Sequence, residues 1–225
     1  MEVEVRDLGV IEYAAAWETQ QQLFDALMQA KLAGQPEIQT LLLCEHPHVY
    51  TLGKSGVAEN LLVNDEFLRS IDATYFKIDR GGDITYHGYG QLVGYPILDL
   101  DRFGVGLKEY IHALEEAIIR TVADYGIVSE RMDGATGVWL EKETTRARKI
   151  AAIGVKASRF VTMHGFALNV NTDLKYFSYI NPCGFVDKGV TSLRAELGHQ
   201  VEMEEVKARF VAHFMQIFNS TQKVE

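Results

Sequence analysis

Cysteine is scarce in this chain. Cys44 and Cys183 are the two in 225 residues, too few for the disulfide framework that staples small secreted domains. A single bridge between them would consume whatever chemistry either thiol offers. Long apolar runs are missing as well: Leu41 to Cys44 is among the longest, far short of the ~20 residues that cross a bilayer. Basic charge is also limited, and the net charge of −9 argues against nucleic acid as a partner, because phosphate binding calls for a basic face. The opening Met1 to Asp7 carries acids where a secretory signal carries bases, and no apolar stretch follows. A soluble protein of a reducing compartment is expected. No Pro/Ser-rich linker, low-complexity segment or internal repeat divides the sequence, so one domain spanning residues 1–225 is expected. Several catalytic signatures are absent too. There is no Gly-x-Ser-x-Gly elbow, no HExxH, no dinucleotide fingerprint and no P-loop.

With 47% apolar and 10% aromatic residues, the chain has material for a sizeable core. Three segments repeat apolar residues at helical spacing. Tyr13, Trp17, Phe24, Leu27 and Met28 share one face until Gly34-Gln35-Pro36 ends the pattern. Leu107, Tyr110, Ile111, Leu114, Ile118 and Val122 form a second stripe that stops at Gly126, and Val206, Phe210, Phe214 and Ile217 form a third. Between them lie β-rich runs at 39–44, 74–78, 91–97, 137–140, 149–156 and 166–170. Several of these follow one another without a helix between, which predicts antiparallel or mixed pairing rather than a doubly wound parallel sheet. The expected fold class is α+β, with a mixed, largely antiparallel sheet and flanking helices.

The densest motif runs from Arg80 through Gly81-Gly82-Asp83-Ile84-Thr85-Tyr86-His87 to Gly90-Gln91. As a plain hairpin turn between two strands it would need glycine but not Arg, Thr and His, so the loop also reads as the lining of a site. His87 is open to three roles: general acid/base, oxyanion donor or packed histidine. His46-Pro47-His48 suggests a metal pair, with Glu45 and His164 as further candidates, but no cluster at ligand spacing supports it. Cys44 closes an apolar run and reads as core filler. Lys142, Arg146, Arg148, Lys149, Lys156 and Arg159 crowd one stretch. They read either as a solvated charged surface or as a docking patch for an acidic partner.

Cys183, in Asn181-Pro182-Cys183-Gly184, and Lys149, which opens Lys149-Ile150-Ala151-Ala152-Ile153-Gly154, are the reactive candidates. A thiol works as its thiolate, a nearby ammonium favours that form, and a lysine can also release and recover a proton. The pair reads as a covalent acyl-transfer site, provided the fold brings the two residues together.

These motifs converge. Glu45-His46-Pro47 with Tyr50-Thr51-Leu52-Gly53, the Arg80 to Gln91 segment, Tyr95-Pro96-Ile97, Thr136-Gly137-Val138-Trp139, the Lys149 run, His164 to Val170 and Asn181 to Gly184 come in a fixed order. In that order and spacing the chain resembles the lipoyl(octanoyl) transferases. These enzymes move an octanoyl group from acyl carrier protein to a lysine of lipoyl domains. The resemblance implies a fold shared with biotin and lipoate protein ligases. It implies Cys183 as the acyl-thioester residue and Lys149 as the residue that lowers its pKa. It further implies that Arg80, Gly81, Gly82, Asp83, Ile84, Thr85, Tyr86 and His87 enclose the acyl group, with Ala152, Ile153, Gly154, Gly165, Phe166 and Ala167 as further walls. The implied setting is the cytoplasm, without cofactor, metal, nucleic acid or membrane. The substrate would arrive on the phosphopantetheine arm of octanoyl-acyl carrier protein. The acceptors would be lipoyl domains of 2-oxoacid dehydrogenase complexes and the glycine cleavage H protein. An ATP-dependent lipoate-protein ligase of the same fold is the alternative. One departure is local: Tyr89-Gly90-Gln91 stands where the family usually has Pro-Gly-Gln.

Overall fold

The structure is a computed structural model that describes residues 3–36, 38–181 and 188–220. Cys183, with Pro182 and Gly184, lies outside the described residues. Strand β1 (Val3–Val10) leads into helix α1 (Tyr13–Ala33), then β2 (Gln39–Glu45) and β3 (Val49–Leu52). Helix α2 (Asp65–Ser70) precedes β4 (Thr74–Lys77), β5 (Ile84–His87) and β6 (Gln91–Ile97). Helices α3 (Leu100–Phe103) and α4 (Leu107–Ala123) are followed by β7 (Glu130–Arg131), β8 (Val138–Leu140), β9 (Arg148–Ser158) and β10 (Val161–Asn169). Strand β11 (Gly189–Val190) and helices α5 (Leu193–Leu197) and α6 (Met203–Ser220) complete the described chain.

The main sheet runs β1-β2-β6-β10-β9-β8-β7, with β11 added beside β9. Its pairs are antiparallel except β1 with β2 and β11 with β9. A second sheet, β4-β3-β5, stands apart from it. The α+β expectation with a mixed, largely antiparallel sheet is met.

Strand alternation sorts the core into two layers. Leu41 and Leu43 of β2, Leu92 of β6 and Phe166 and Leu168 of β10 meet Leu114, Ile118, Phe210 and Phe214 of α4 and α6. Their neighbours Leu42, Cys44, Val93, Tyr95 and Ala167 pack with Ala16 of α1 on the opposite face. Cys44 is fully buried, as a core filler should be, and burial pushes its thiol well above the ordinary cysteine range. Helix α1 ends where the sequence predicts. Gly34 takes a left-handed conformation (φ 63°) that a side chain would resist, and its amide returns to the last turn. The third stripe is continued by Phe218, which is buried, while Ile217 is partly buried and packs against the same core.

The long hairpin is not formed. Residues 84–87 are themselves a strand, β5, paired antiparallel to β3, so the turn proper is Arg80 to Asp83. The flanking strands β4 and β6 belong to different sheets. Among the described residues no helix is long and apolar enough to cross a membrane.

Candidate active site

A cavity of about 640 Å³ opens between the Arg80–Thr85 segment, the start of α4, the turn at 134–136, strand β9 and residues 188–190. Lys149, Ala152, Ile153 and Gly154 of β9 line it, as do Arg80, Gly81, Gly82, Asp83, Ile84 and Thr85. A small void of about 50 Å³ adjoins it through shared walls, and there His87 and Gly165, Phe166 and Ala167 are found with Tyr13 and His164. Of the wall residues implied by the resemblance, only Tyr86 lines neither space. Alternation along β5 turns it away from Thr85 and His87 into the small sheet's core, where its ring stacks on Tyr176.

The Arg80 guanidinium serves the wall from behind. It donates to the carbonyls of Thr51 (2.8 Å), Asp83 (2.7 Å) and Gly81 (3.0 Å) and to the Thr51 hydroxyl (3.1 Å). The turn therefore wraps around its own arginine and is tied to β3. Gly154 makes this possible on the β9 side: a Cβ there would lie 2.9 Å from the Gly81 carbonyl oxygen.

Lys149 is held at the opposite wall. Its Nζ donates to the Thr136 carbonyl at 3.1 Å and lies 4.6 Å from the Trp139 ring centre, where the indole face attracts a cation. The indole Nε1 donates in turn to the Ala135 carbonyl at 2.8 Å. The Gly137 amide, in a backbone conformation (φ 123°) suited to glycine, donates to Glu115 Oε1 at 3.0 Å, and Glu115 also meets Arg131 at 3.2 Å. Thus α4 fixes the turn that receives the ammonium. Lys188 Nζ stands 5.8 Å from the same indole ring.

The run that carries Cys183 is fastened on both sides. Before it, the Asn181 amide donates to the Asn60 carbonyl at 2.8 Å. After it, Gly189 and Val190 pair with Arg148 and Lys149 of β9, and the Thr191 amide donates to the Lys149 carbonyl at 2.9 Å. Strand β10 pairs with β9 only as far as Ala151, so β11 takes up the edge beside Lys149.

Histidines gather on the far side. The direction of one hydrogen-bond chain assigns the state of His87. Asn169 Nδ2 donates to the Thr191 carbonyl, so its Oδ1 faces Gln91 Nε2, which also donates to the Tyr86 carbonyl. Gln91 Oε1 is therefore left to accept from His87 Nδ1 at 2.8 Å. His87 carries its proton on Nδ1, and burial, reinforced by the nearby His46, pushes its pKa down to about 3. At neutral pH it can accept a hydrogen bond through Nε2 but is a poor base, so of its three possible roles the packed histidine fits best. His46 Nδ1 donates to the Ile11 carbonyl and Nε2 accepts from the Tyr95 hydroxyl, both at 2.7 Å. His48 instead meets the Tyr86 hydroxyl at 2.7 Å, so the two histidines of the motif serve different neighbourhoods. Among the described residues no group of three or more His, Cys, Asp or Glu could hold a metal. His164 sits at φ 61°, a strained value for a non-glycine residue, and its Nε2 donates to Asp79 Oδ1 at 2.9 Å.

The basic stretch is largely neutralised in place. Lys142 pairs with Glu130 (3.0 Å), Arg146 with Glu141 (2.7 Å), Arg148 with Glu196 (2.7 Å) and Lys156 with Asp79 (2.6 Å). The charged-surface reading suits these four better than a free docking patch. Trp139, Glu115, Asn60 and Asp79 have no role that sequence reasoning identified. Gly137 before Val138-Trp139 was the available signal, since a glycine opening a strand marks a special backbone position.

Residues 12–215 match the lipoyl protein ligase A/B catalytic domain. An octanoyltransferase of Bacteroides thetaiotaomicron is 60% identical over 219 residues, covering 97% of this chain and 96% of that protein. The lipoate protein ligase of a bipartite archaeal lipoylation system from Thermoplasma acidophilum superposes with a TM-score of 0.68 at 16% identity, over 97% of this chain and 85% of that one. The biotin protein ligase of Aquifex aeolicus reaches 0.56 at 13% identity, over 97% and 72%. The two ligases speak for the fold alone. The chain belongs to the lipoyl protein ligase A/B catalytic domain family and, within it, to the octanoyltransferases.

Proposed function

We propose that this enzyme transfers an octanoyl group from octanoyl-acyl carrier protein to a lysine of lipoyl domains through a thioester on Cys183. The observation that carries the reading is Lys149, whose ammonium lines the cavity on the strand to which the Cys183 run returns. The Lys149 ammonium stabilises the Cys183 thiolate, whose own proton has passed to solvent. The sulfur attacks the carbonyl carbon of the incoming thioester, and a new C–S bond forms. The donor's C–S bond breaks, and the phosphopantetheine sulfur leaves with the proton held by Lys149. The acceptor lysine attacks the acyl-cysteine as its free amine, and neutral Lys149 takes the proton that the nitrogen loses. The amide forms and the Cys183 thiolate is released. Exchange of one thioester for another is nearly isoenergetic, so no nucleotide is required.

The acyl chain is assigned to the walls formed by Ile84, Ala152, Ile153 and Val155, which give the cavity an apolar side. Lipoyl domains of 2-oxoacid dehydrogenase complexes and the glycine cleavage H protein are the proposed acceptors, and the cytoplasm is the proposed setting. Intact-protein mass after mixing with octanoyl-carrier protein tests the scheme. One octanoyl group on Cys183 that passes to the acceptor lysine without ATP is expected. Acceptor modification that appears only with ATP and free acid would move the protein to the ligases.

A further inference from the structure

The cavity wall and the run bearing Cys183 come from distant parts of the sequence, yet one residue touches both. Asn60 closes the short 3-10 turn Ala58–Asn60. Its Nδ2 donates to Asp83 Oδ2 at 2.6 Å, a charge-assisted bond to the acyl-enclosing turn. Its carbonyl accepts from the Asn181 amide at 2.8 Å, two residues before Cys183. The contact is extended by an antiparallel bridge between Leu61 and Ile180 and by the Leu62 amide donating to the Tyr179 carbonyl at 3.0 Å.

Asp83 is a firm partner. Its Oδ1 accepts from the Ile84 amide at 2.6 Å, and its carbonyl receives Arg80 Nη2 at 2.7 Å. It is 8% exposed, and a Cβ at Gly56 would fall 2.3 Å from its Oδ1, so the surrounding chain closes tightly on this carboxylate. Through Asn60, the turn organised by Arg80 and the residue leading into Pro182-Cys183 share one rigid connection. Neither a recognisable motif nor a reactive side chain marks Asn60 in the sequence.

We propose that Asn60 is a positioning residue for acyl transfer, holding the Asp83 wall and the approach to Cys183 in a fixed relation. This rests on the reading of Cys183 as the nucleophile. Loss of the connection should slow the acylation step at saturating donor, because the acyl carbonyl and the sulfur would no longer be held in register. Donor affinity should change little, since Asn60 lines neither cavity.

The test compares wild type, Asn60→Asp, Asn60→Ala and the reciprocal swap Asn60→Asp/Asp83→Asn. The readouts are single-turnover octanoylation of Cys183 against donor concentration and thermal melting. Asn60→Asp sets two carboxylates against each other and is expected to slow saturated acylation about 10- to 100-fold, with half-saturation shifted less than about threefold. Asn60→Ala should lose less, and the swap, which restores an amide–carboxylate pair, should recover most of the rate. Asn60→Asp and Asn60→Ala acylated as fast as wild type would overturn the proposal. So would a loss confined to half-saturation, or a swap that restores melting but not rate. Wild-type protein that takes up no octanoyl group would instead remove the nucleophile reading on which the proposal rests.

Discussion

Two polar regions flank adjoining spaces and are built on opposite terms. On the β8–β9 side, Lys149 lines the open cavity, with the Thr136 carbonyl and the Trp139 face among its contacts. On the β5–β6–β10 side, His46, His87 and His164 are buried, and each has a ring nitrogen committed to a neighbour. The first arrangement sets an ammonium at the wall of a cavity, where the proposed reaction has it exchange a proton. The second makes the charged form costly, so imidazoles that look reactive in the sequence act as fixed polar packing. Proximity to a cavity does not assign chemistry; hydration and hydrogen-bond commitments decide it.

The contrast can be broken most severely at Lys149. Lys149→Met should lower acyl transfer about 10³-fold, with little change in melting temperature. Lys149→Arg should fail to rescue, because guanidinium does not release its proton. Full activity in either variant would dissolve the distinction. On the histidine side the expected damage is structural. Gln91→Leu strands the His87 Nδ1 proton, the Asn169 oxygen and the Tyr86 carbonyl, and should cost about 2–3 kcal/mol of stability in chemical denaturation. A stable but inactive Gln91→Leu would instead make the His87 chain catalytic.

Acid supplies a third comparison. The ordinary histidine value of 6.5 falls to about 4 for His46 and His164 and to about 3 for His87, chiefly through burial. In that interval the unfolded chain binds protons that the folded chain refuses. The contribution is therefore complete above pH 6.5 and is lost as pH falls towards 4, by about 1.4 kcal/mol per pH unit for each histidine. Urea midpoints between pH 7 and 4.5 should show this slope, and replacing His46 with Gln should flatten it. The smallest effect is expected at the exposed Arg146–Glu141 pair. Arg146→Gln should change the donor KM by less than about threefold and stability by under about 1 kcal/mol. A tenfold rise in KM would revive the docking patch.

Legibility in the sequence followed the range of the interactions. The stripe from Tyr13 to Leu27 with its glycine stop, and the runs that became β2, β6 and β9, are local signals and appear close to where they were expected. Strand β5 was hidden because its partner β3 lies more than thirty residues earlier and its own sequence is rich in glycine upstream. Strand β1 escaped notice because it is mostly exposed: Val3 and Val5 alternate with Glu4 and Arg6, but only Val3 is buried. At the site, the resemblance pointed to Lys149 and to wall residues that, Tyr86 apart, line at least one of the two spaces. Glu115 was not: a glutamate on an amphipathic helix reads as solvent-facing, yet it is 4% exposed and holds the Gly137 amide. Arg80 was placed at the cavity correctly, but only the fold reveals that its guanidinium is directed at its own backbone.

The pairing of β11 with β9 also bears on when the protein becomes reactive during synthesis. The edge beside Lys149 is completed by residues made after Cys183 in the chain, because Gly189, Val190 and Thr191 bond to the main chain of Arg148, Lys149 and their neighbour Ala147. A nascent chain that ends before them has its lysine on an unfinished strand, and α6, which covers the core, is still to come. A growing polypeptide that stops short of β11 therefore leaves the strand bearing Lys149 without one of its neighbours.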